Sequence, residues 1–261
     1  MSIESSYPLI SIITTVLNER NNFDTTVKSV IKQSYPNIEY IVIDGGSTDG
    51  TINIIKKYEK HITFWVSEKD NGISDAFNKG IKQANGIYIN FQGAGDFFFD
   101  KDALLKMMDG INTNSDWLIC GRIQRISESD KVLWTTKSKF IKKSLLFKMS
   151  LPHQALFTHK HYFNKFGLFD TKLKFSMDYD LILRSYHDFP GVKMKNHIVS
   201  CWKAGGIGSN KFIEIFEEYN LIKKKNKVAP YFILYLINKW ILFKHKVSLY
   251  LSRLQKKKQY E

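Results

Sequence analysis

The first 110 residues alternate between short runs of apolar, β-branched residues and longer stretches with helical periodicity. The apolar runs occupy residues 9–16, 39–44, 62–66 and 86–91. Continuous apolar runs of this length are typical of strands that are buried on both faces. Strand–helix alternation at this spacing builds right-handed βαβ units and a parallel sheet. We therefore predict an α/β fold whose ligands bind at the carboxyl ends of its strands.

Three acidic or hydroxyl residues lie where helices of this fold are expected to begin. Asp24 is expected to cap a helix with Phe23 and Val27 on its buried face. If the segment after the second strand is a plain strand–turn–helix connection, Ser47 or Thr48 caps the helix that follows. Asp100 is similarly placed to cap a helix over residues 101–108.

The chain has 261 residues, of which 43% are hydrophobic, so it can bury a core and is not a disordered chain. Its formal net charge of +14 favours a polyanionic partner, which leaves nucleic acid, a phosphorylated substrate and an anionic membrane open. Two cysteines cannot form a disulfide framework, so a reducing compartment is the simpler interpretation. Neither a secretory signal pattern in residues 1–7 nor a run of 18 apolar residues is found, which predicts a cytoplasmic protein without a transmembrane span.

Two polar segments directly follow buried strands. Residues 44–51 read DGGSTDGT, and their glycines let a ligand approach the backbone after Asp44. A plain strand–turn–helix connection is an equally good interpretation of that segment. Residues 90–96 read NFQGAGD, and the carboxylate of Asp96 suits a divalent cation that bridges two phosphates. The alternative role for Asp96 is to cap a turn.

Asp178 and Asp180 begin a short helical pattern. Asp180 and Arg184 stand four residues apart, which predicts a structural ion pair. Asp178 is then the N-cap or a first-turn residue, or a general base in a cleft. His153 is a packed histidine, a wall of an acceptor site or a contact to a diphosphate.

Weaker candidates follow the same logic. Arg122 and Arg125 meet phosphate or are surface charges. His197 and Trp202 carry still weaker signals.

Taken together, these segments resemble the family 2 glycosyltransferases, which are inverting enzymes with the GT-A fold, and in particular a branch that makes bacterial surface polysaccharides. The resemblance covers about residues 8–210 and depends on several motifs that occur in the family's order. They lie at residues 8–19, 41–51, 68–80, 153–154, 167–170, 178–180 and 205–209.

The resemblance implies a role for each matching residue. Asp178 would be the catalytic base, and Asp96 would bind Mg²⁺ or Mn²⁺. The first Asp of the family's metal motif is replaced by Ala94, which leaves Asp96 as the single protein carboxylate. The residues implied in binding the nucleotide-sugar are Thr14, Val16, Glu19, Asp44, Asn71, Gly72, Ala94 and Gly95.

The implied reaction moves a sugar from a nucleotide-sugar, a UDP-sugar in the first instance, to a hydroxyl of a saccharide acceptor linked to polyprenyl diphosphate. One alternative is a sugar-nucleotide pyrophosphorylase, which should show a Gly-rich, basic loop after the first strand. Residues 17–22 read LNERNN and are not such a loop. The other alternative is a non-catalytic basic protein that binds membrane or nucleic acid, although no nucleic-acid motif accompanies the charge.

The sequence divides into a GT-A domain over residues 1–210 and a helical basic tail over residues 211–261. The nucleotide-binding half is placed at about residues 8–110 and the acceptor half at about 111–210. In the tail, aromatic residues alternate with lysines between residues 228 and 254, with lysine clusters at 223–227 and 256–258. This composition predicts a helix lying on the inner face of the cytoplasmic membrane, whereas a helix packed on protein is the alternative. The oligomeric state stays open.

Overall fold

The computed structural model describes residues 7–205 and 211–258, with side chains described to Leu251 in the last helix. Within these ranges a nine-stranded sheet lies between two layers of helix. The strands are β1 Ile10–Val16, β2 Ile38–Asp44, β3 Phe64–Ser67, β4 Tyr88–Gly93, β5 Phe97–Phe98, β6 Leu118–Ile126, β7 Val132–Thr135, β8 Leu156–His159 and β9 Lys193–Lys203. The helices are α1 Arg20–Ile31, α2 Thr51–Lys57, α3 Ile73–Gln83, α4 Ala103–Met108, α5 Lys160–Phe166, α6 Met177–Arg184, α7 Phe212–Lys225 and α8 Tyr231–Lys258.

The strand order is β3-β2-β1-β4-β8-β6-β9-β5, and β7 pairs with the far end of β6. Strands β3, β2, β1 and β4 are mutually parallel, as the alternating pattern predicted. Strand β8 is antiparallel to both β4 and β6, so β6 runs in the same direction as β4. Strand β9 is parallel to β6. The carboxyl ends of β1, β2, β4, β6 and β9 therefore lie at one edge of the sheet.

Helices cover both faces of the sheet, and each face has its own hydrophobic core. Phe77 of α3 and Leu183 of α6 pack on one face, whereas Phe23 of α1 and Leu104 of α4 pack on the other. Helix α3 approaches β1 very closely, because a Cβ atom at Gly80 would stand 2.5 Å from a methyl group of Ile13. Strands β1, β2 and β4 are buried as predicted, whereas β3 is only half-buried because it lies at the edge of the sheet.

Helix α1 does not begin where the sequence predicted. It begins at Arg20, so Asp24 lies inside the helix and pairs with Lys28 at 2.6 Å instead of capping it. The prediction that Asp24 is the cap is wrong because the first turn is held by a distant residue. The backbone N–H of Arg20 donates to the carboxylate of Asp49 at 3.0 Å.

The caps predicted for α2 and α4 are also wrong. Helix α2 begins at Thr51 after Gly50, which has a φ of 97°, so neither Ser47 nor Thr48 caps it. Helix α4 begins at Ala103, two residues later than the sequence suggested. The carboxylate of Asp100 accepts from the backbone N–H of Asp102 and so orders the preceding turn.

Helix α7 packs on α6 and on the loop before it. The carboxylate of Glu218 accepts from the backbone N–H groups of Lys174, Phe175 and Ser176, at 2.8 to 3.0 Å. Ile222 is fully buried in the core next to α6. The division of the chain at residue 210 stays a prediction. No helix in the described part of the chain is long and apolar enough to cross a membrane.

Candidate active site

The turn after β2 is organised around Asp44. Its carboxylate accepts from the backbone N–H groups of Gly46 at 3.1 Å and Ser47 at 2.9 Å. It also accepts from the hydroxyl groups of Ser47 and Ser67, each at 2.5 Å. Four protein donors therefore hold this buried carboxylate, and its first role is to shape the turn. Its implied contact with a nucleotide base stays a prediction.

The neighbouring residues implied in base binding differ in how deeply they are buried. Thr14 is fully buried, and its hydroxyl accepts from that of Tyr40 at 3.2 Å. Val16 is buried beside it at the end of β1. Glu19 is half-buried at the start of α1, and its carboxylate accepts from the side-chain amide of Asn22 at 3.0 Å. Thr14 and Val16 therefore lie inside the protein near the carboxyl end of β1, whereas Glu19 lies closer to the surface.

The loop before α3 reaches the Asp44 turn from the other side. A Cβ atom at Gly45 would stand 2.8 Å from a carboxylate oxygen of Asp70, so the glycine permits this close approach. Asp70 pairs with Lys79 at 2.8 Å, and burial raises the pKa of Asp70 above its ordinary value. Asn71 is exposed, and Gly72, with a φ of 99°, directly precedes α3. Asp70 is a residue that sequence reasoning missed, although it directly precedes the two residues that were named.

Asp96 lies just past β4 and is buried. Its carboxylate accepts from the side-chain amide of Gln154 at 3.0 Å and from the backbone N–H of Lys203 at 3.3 Å. Burial raises the pKa of Asp96 to about 7. The preceding Gly95 has a φ of 99°, and its N–H donates to the hydroxyl of Thr26 at 2.8 Å. Ala94, half-buried, completes the turn.

The donor set around Asp96 fits one kind of metal binding. The described residues contain no group of three or more His, Cys, Asp or Glu side chains that could hold a metal ion. Mg²⁺ is commonly bound by one or two carboxylates together with substrate phosphates. Asp96 therefore fits a cation that arrives with a diphosphate, and the site does not fit an all-protein metal cage.

Asp178 lies in the first turn of α6 and lines a small, narrow pocket. Its carboxylate accepts from the backbone N–H of Tyr179 at 2.7 Å, and within the described ranges no side chain donates to it. Burial raises the pKa of Asp178 to about 6. The pocket is lined mainly by apolar side chains: Phe91, His153, Leu156, Thr158, Phe169, Leu181 and Ile182. A carboxylate without a fixed cation in an apolar pocket is suited to accept a proton near neutral pH.

His153 forms one wall of this pocket. Its ring stacks on Phe91 with centroids 4.8 Å apart and planes 11° from parallel. Burial lowers the pKa of His153 to about 4, so the ring is neutral at pH 7. Its buried Nε2 atom has no hydrogen-bond partner among the described residues. His153 is thus a packed histidine that also lines the pocket, and its role at an acceptor site stays a prediction.

One turn lies beside both Asp178 and Asp96. His153 and Gln154 are consecutive in the 3₁₀ turn His153–Ala155, where His153 lines the Asp178 pocket and Gln154 bonds Asp96. Asn90 and Gln92 of β4 hold this turn, because their side-chain amides donate to the carbonyl of Gln154 at 3.1 and 2.8 Å. The same backbone turn therefore contributes one residue to the Asp178 pocket and the next residue to the bonding of Asp96. The role of Gln154 was missed, although its position beside His153 in a matching motif was the available signal.

The remaining predicted residues have structural surroundings or lie outside the description. Arg184 donates through two nitrogens to the fully buried carboxylate of Asp180, which confirms the predicted structural pair. Gly205 is described, but residues 206–210 of the late Gly-rich loop lie outside the described residues. Arg122 donates to the backbone carbonyl of Thr136 at 2.7 Å.

A sheet of this order with acidic residues on its carboxyl edge defines a GT-A type glycosyltransferase. Residues 11–173 match the sequence profile of glycosyl transferase family 2, and the chain belongs to that family. The predicted family, fold and enzyme class are confirmed. Family membership also favours a transferase over the pyrophosphorylase and the non-catalytic binding protein.

Two curated relatives are glycosyltransferases by name. An uncharacterized glycosyltransferase of Mycobacterium tuberculosis (strain CDC 1551 / Oshkosh) is 32% identical over 184 residues, which cover 69% of this chain and 70% of the relative. A PGL/p-HBAD biosynthesis glycosyltransferase of Mycobacterium bovis (strain BCG / Pasteur 1173P2) is 27% identical over 240 residues, which cover 89% of this chain and 91% of the relative.

Two solved structures share the fold at 16% sequence identity. S. aureus TarS has a TM-score of 0.68 over 91% of this chain, which spans 43% of the solved TarS chain. The mannosyltransferase PcManGT from Pyrobaculum calidifontis, solved with GDP-Man and Mn²⁺, has a TM-score of 0.68 over 95% of this chain and 76% of its own.

Proposed function

We propose that this glycosyltransferase moves a sugar from a UDP-sugar to a hydroxyl of a polyprenyl-diphosphate-linked saccharide, with inversion, in the synthesis of a surface polysaccharide. The observation that carries the proposal is that the turn His153–Ala155 lines the Asp178 pocket with His153 and bonds Asp96 through Gln154. Neighbouring structures support the donor class, since TarS was solved with UDP and UDP-GlcNAc and PcManGT with GDP-Man.

In this mechanism Asp178 is the general base. With a pKa of about 6, its carboxylate is mostly ionised at pH 7 and still basic enough to take the proton of an attacking hydroxyl. The hydroxyl oxygen attacks the anomeric carbon while the bond to the nucleoside diphosphate breaks on the opposite side. One displacement inverts the anomeric centre. The apolar walls from Phe91 and Phe169 exclude water, which would otherwise compete as the acceptor.

Asp96 would hold Mg²⁺ or Mn²⁺ against the donor diphosphate. When bound, such a cation neutralises the charge that grows on the leaving diphosphate. Gln154 and the N–H of Lys203 each donate to one oxygen of Asp96 and so fix the carboxylate in place. We assign the nucleoside to the edge formed by residues 14–19, the Asp44 turn, the loop at Asn71 and Gly72, and the turn at Ala94 and Gly95.

The Asp178→Asn variant tests the proposal, because it removes the base without changing the size of the side chain. Transfer should fall by about 10²- to 10⁴-fold, whereas the affinity for UDP should stay within about twofold. The assay is UDP release from a panel of UDP-sugars with Mn²⁺, beside calorimetry with UDP.

Asp188→Asn is the matched control, since Asp188 is exposed and pairs only with Lys165 at the surface. Undiminished transfer by Asp178→Asn would remove Asp178 from the role of base. A wild-type chain that turns over no nucleotide-sugar would contradict the proposed function itself.

We also propose that α8 attaches the enzyme to an anionic membrane surface. Phe232, Leu236, Trp240, Phe243 and Val247 recur every three or four residues, and all are exposed. The opposite side of the helix is packed, because Leu234 belongs to the hydrophobic core and Ile237 is also buried. An exposed apolar stripe of this length on a surface helix indicates that the helix contacts another apolar surface or the apolar part of a membrane.

The charges beside the stripe select the partner. At 100° per residue, Lys239 and Lys246 flank one side of the stripe and Lys244 the other. Aromatic residues between lysines suit the headgroup boundary of a membrane with anionic lipids. A polyprenyl-linked acceptor would be held in the same layer.

Cosedimentation with vesicles tests this attachment. The wild-type chain should bind vesicles made from equal amounts of phosphatidylglycerol and phosphatidylcholine. It should bind vesicles of pure phosphatidylcholine only weakly. Trp240→Glu/Phe243→Glu should abolish binding, whereas Leu133→Glu, an equally exposed apolar position on β7, should retain it. Concentration-dependent dimers without vesicle binding would instead make the stripe an interface between copies.

A further inference from the structure

Three side chains form a row across the strands of the acceptor half. Trp134 on β7 pairs in register with Arg125 on β6, which pairs in register with Trp202 on β9. The guanidinium of Arg125 lies over the ring of Trp202, 4.3 Å from its centroid. The Trp134 and Trp202 rings contact edge to face with centroids 6.1 Å apart. The three residues therefore make one continuous surface, which we term the Trp–Arg–Trp row.

Arg125 has unused hydrogen-bonding capacity. Its Nε atom is buried, and none of the described residues accepts from it. The terminal nitrogen atoms of its guanidinium stay accessible, and within the described ranges they form neither a hydrogen bond nor an ion pair. Because these nitrogens carry donors in one plane, closely spaced oxygens of a ligand can accept from them.

The Trp–Arg–Trp row is adjacent to the active site. Arg125 and Trp202 lie near the carboxyl ends of β6 and β9, at the edge of the sheet that also carries Asp44 and Asp96. The residue after Trp202 is Lys203, whose backbone N–H bonds the carboxylate of Asp96. In the strand order, β6 and β9 lie on the side of β4 away from β1 and β2. The row is thus next to Asp96 but on the side opposite the nucleoside edge.

Strand β7 exposes apolar residues to an unusual degree. Val132, Leu133 and Trp134 are 57%, 52% and 42% exposed, on a short strand paired only with β6 among the described strands. Exposed apolar edge strands favour aggregation, so proteins normally protect them with charge. An exposed indole beside planar hydrogen-bond donors is instead typical of a binding site. Its ligand would have one apolar face and hydroxyl groups around its edge.

We propose that Trp134, Arg125 and Trp202 form a subsite that binds a pyranose ring of the acceptor saccharide. The apolar face of the sugar packs on the Trp134 indole, and its hydroxyl oxygens accept from the Arg125 guanidinium. Trp202 holds that guanidinium by stacking. The inference rests on the proposed function, since it adds a binding site for the acceptor saccharide beside the Asp178 pocket, which is too small to hold the saccharide alone.

Saturation-transfer NMR tests the subsite without requiring turnover. The probes are the methyl glycosides of glucose, galactose, N-acetylglucosamine and rhamnose, added at millimolar concentration to wild-type enzyme with UDP and Mn²⁺. At least one glycoside should show transfer from the protein. Trp134→Ala should weaken its binding about tenfold, as loss of an aromatic contact does, and Trp134→Phe should restore most of it.

Leu133→Ala is the matched control, because Leu133 is exposed on the same strand but points to the other face. It should bind the glycoside as the wild type does. Arg125→Gln should also weaken glycoside binding about tenfold and serves as a second variant with an intact β7. Thermal melting of each variant checks its fold.

Three results would overturn the subsite. They are no saturation transfer from any glycoside, equal transfer in wild type and Trp134→Ala, and a tenfold loss of UDP affinity in Arg125→Gln with glycoside binding intact. The last result would place a diphosphate on Arg125. Asp178→Asn should still bind the glycoside, so failure of the proposed catalytic role and failure of the subsite are distinguishable.

Discussion

Metal binding at Asp96 should compete with a proton near neutral pH. Burial raises the pKa of this carboxyl to about 7, and a cation binds only the ionised form. Free enzyme is therefore partly protonated at Asp96 in the physiological range. Each metal ion that binds must displace that fraction of a proton.

The size of the effect follows from the pKa. The apparent dissociation constant for the metal is multiplied by one plus the ratio of protonated to ionised Asp96, which is about 11 at pH 6 and about 1.1 at pH 8. Mn²⁺ should therefore bind about tenfold more weakly at pH 6 than at pH 8. Binding should release about 0.9 proton at the lower pH and about 0.1 at the higher.

Calorimetry of Mn²⁺ in the presence of UDP-glucose measures both quantities. The diphosphate of UDP-glucose stays ionised over this range, so it adds no proton of its own. Repeating the titration in buffers with different ionisation enthalpies gives the number of protons released. Asp96→Asn cannot be protonated in this way and should show weak Mn²⁺ binding without pH dependence. Equal affinities at pH 6 and pH 8, or the same slope in Asp96→Asn, would refute the reasoning.

Three further predictions concern single groups. With donor and metal saturating, the transfer rate should fall about tenfold per pH unit below pH 6, because Asp178 must be ionised to act as the base; a pH–rate profile that stays flat to pH 5 would contradict its pKa of about 6. Gly121→Ala should destabilise the fold by about 1–3 kcal/mol in urea titration, because the new Cβ would stand 2.2 Å from a methyl group of Val199, and adding Val199→Ala should recover part of the loss. Lys223 is fully buried with its pKa lowered to about 8, so the unfolded chain binds more protons than the folded one above that pH; stability should rise by about 2 kcal/mol between about pH 8 and pH 9.5, and Lys223→Met should remove that rise.

The sheet could be predicted because its signal is local. Strands β1, β2 and β4 are continuous apolar runs, and each run is buried by whatever packs on its two faces. The antiparallel insertion of β8 between β4 and β6 could not be predicted in this way. It depends on pairing Ile89 with Thr158, residues far apart in the chain, and no periodicity records such a register.

Helix starts were wrong for the same physical reason. The carboxylate of Asp49 accepts from the backbone N–H of Arg20 at the start of α1 and from that of Thr51 at the start of α2. One side chain thus serves two helices, and only the folded chain brings the first of them near. Local capping rules assume that the cap directly precedes its helix.

The same distinction between local and long-range signals applies to the candidate site. The sequence singled out Asp96 and Asp178 as candidates because each stands at the end or start of a regular element, and their proposed roles came from the family resemblance. It did not identify Gln154 as the link between them, since that role requires β4 to hold the turn through Asn90 and Gln92. Nor did it identify the Trp–Arg–Trp row, which exists only in the register of three strands.

The contacts of Glu218 also limit where the chain can be cut and joined to a segment of another protein. Its carboxylate accepts three backbone N–H groups from the loop that leads into α6, so α7 is a support of the helix that carries Asp178. Exchange of C-terminal segments among related enzymes would have to keep α7 with the catalytic half and join the new segment between residues 226 and 230. A recombinant joined at residue 210 would keep the sequence motifs of residues 8–205 and still lack the Glu218 contacts that hold the start of α6.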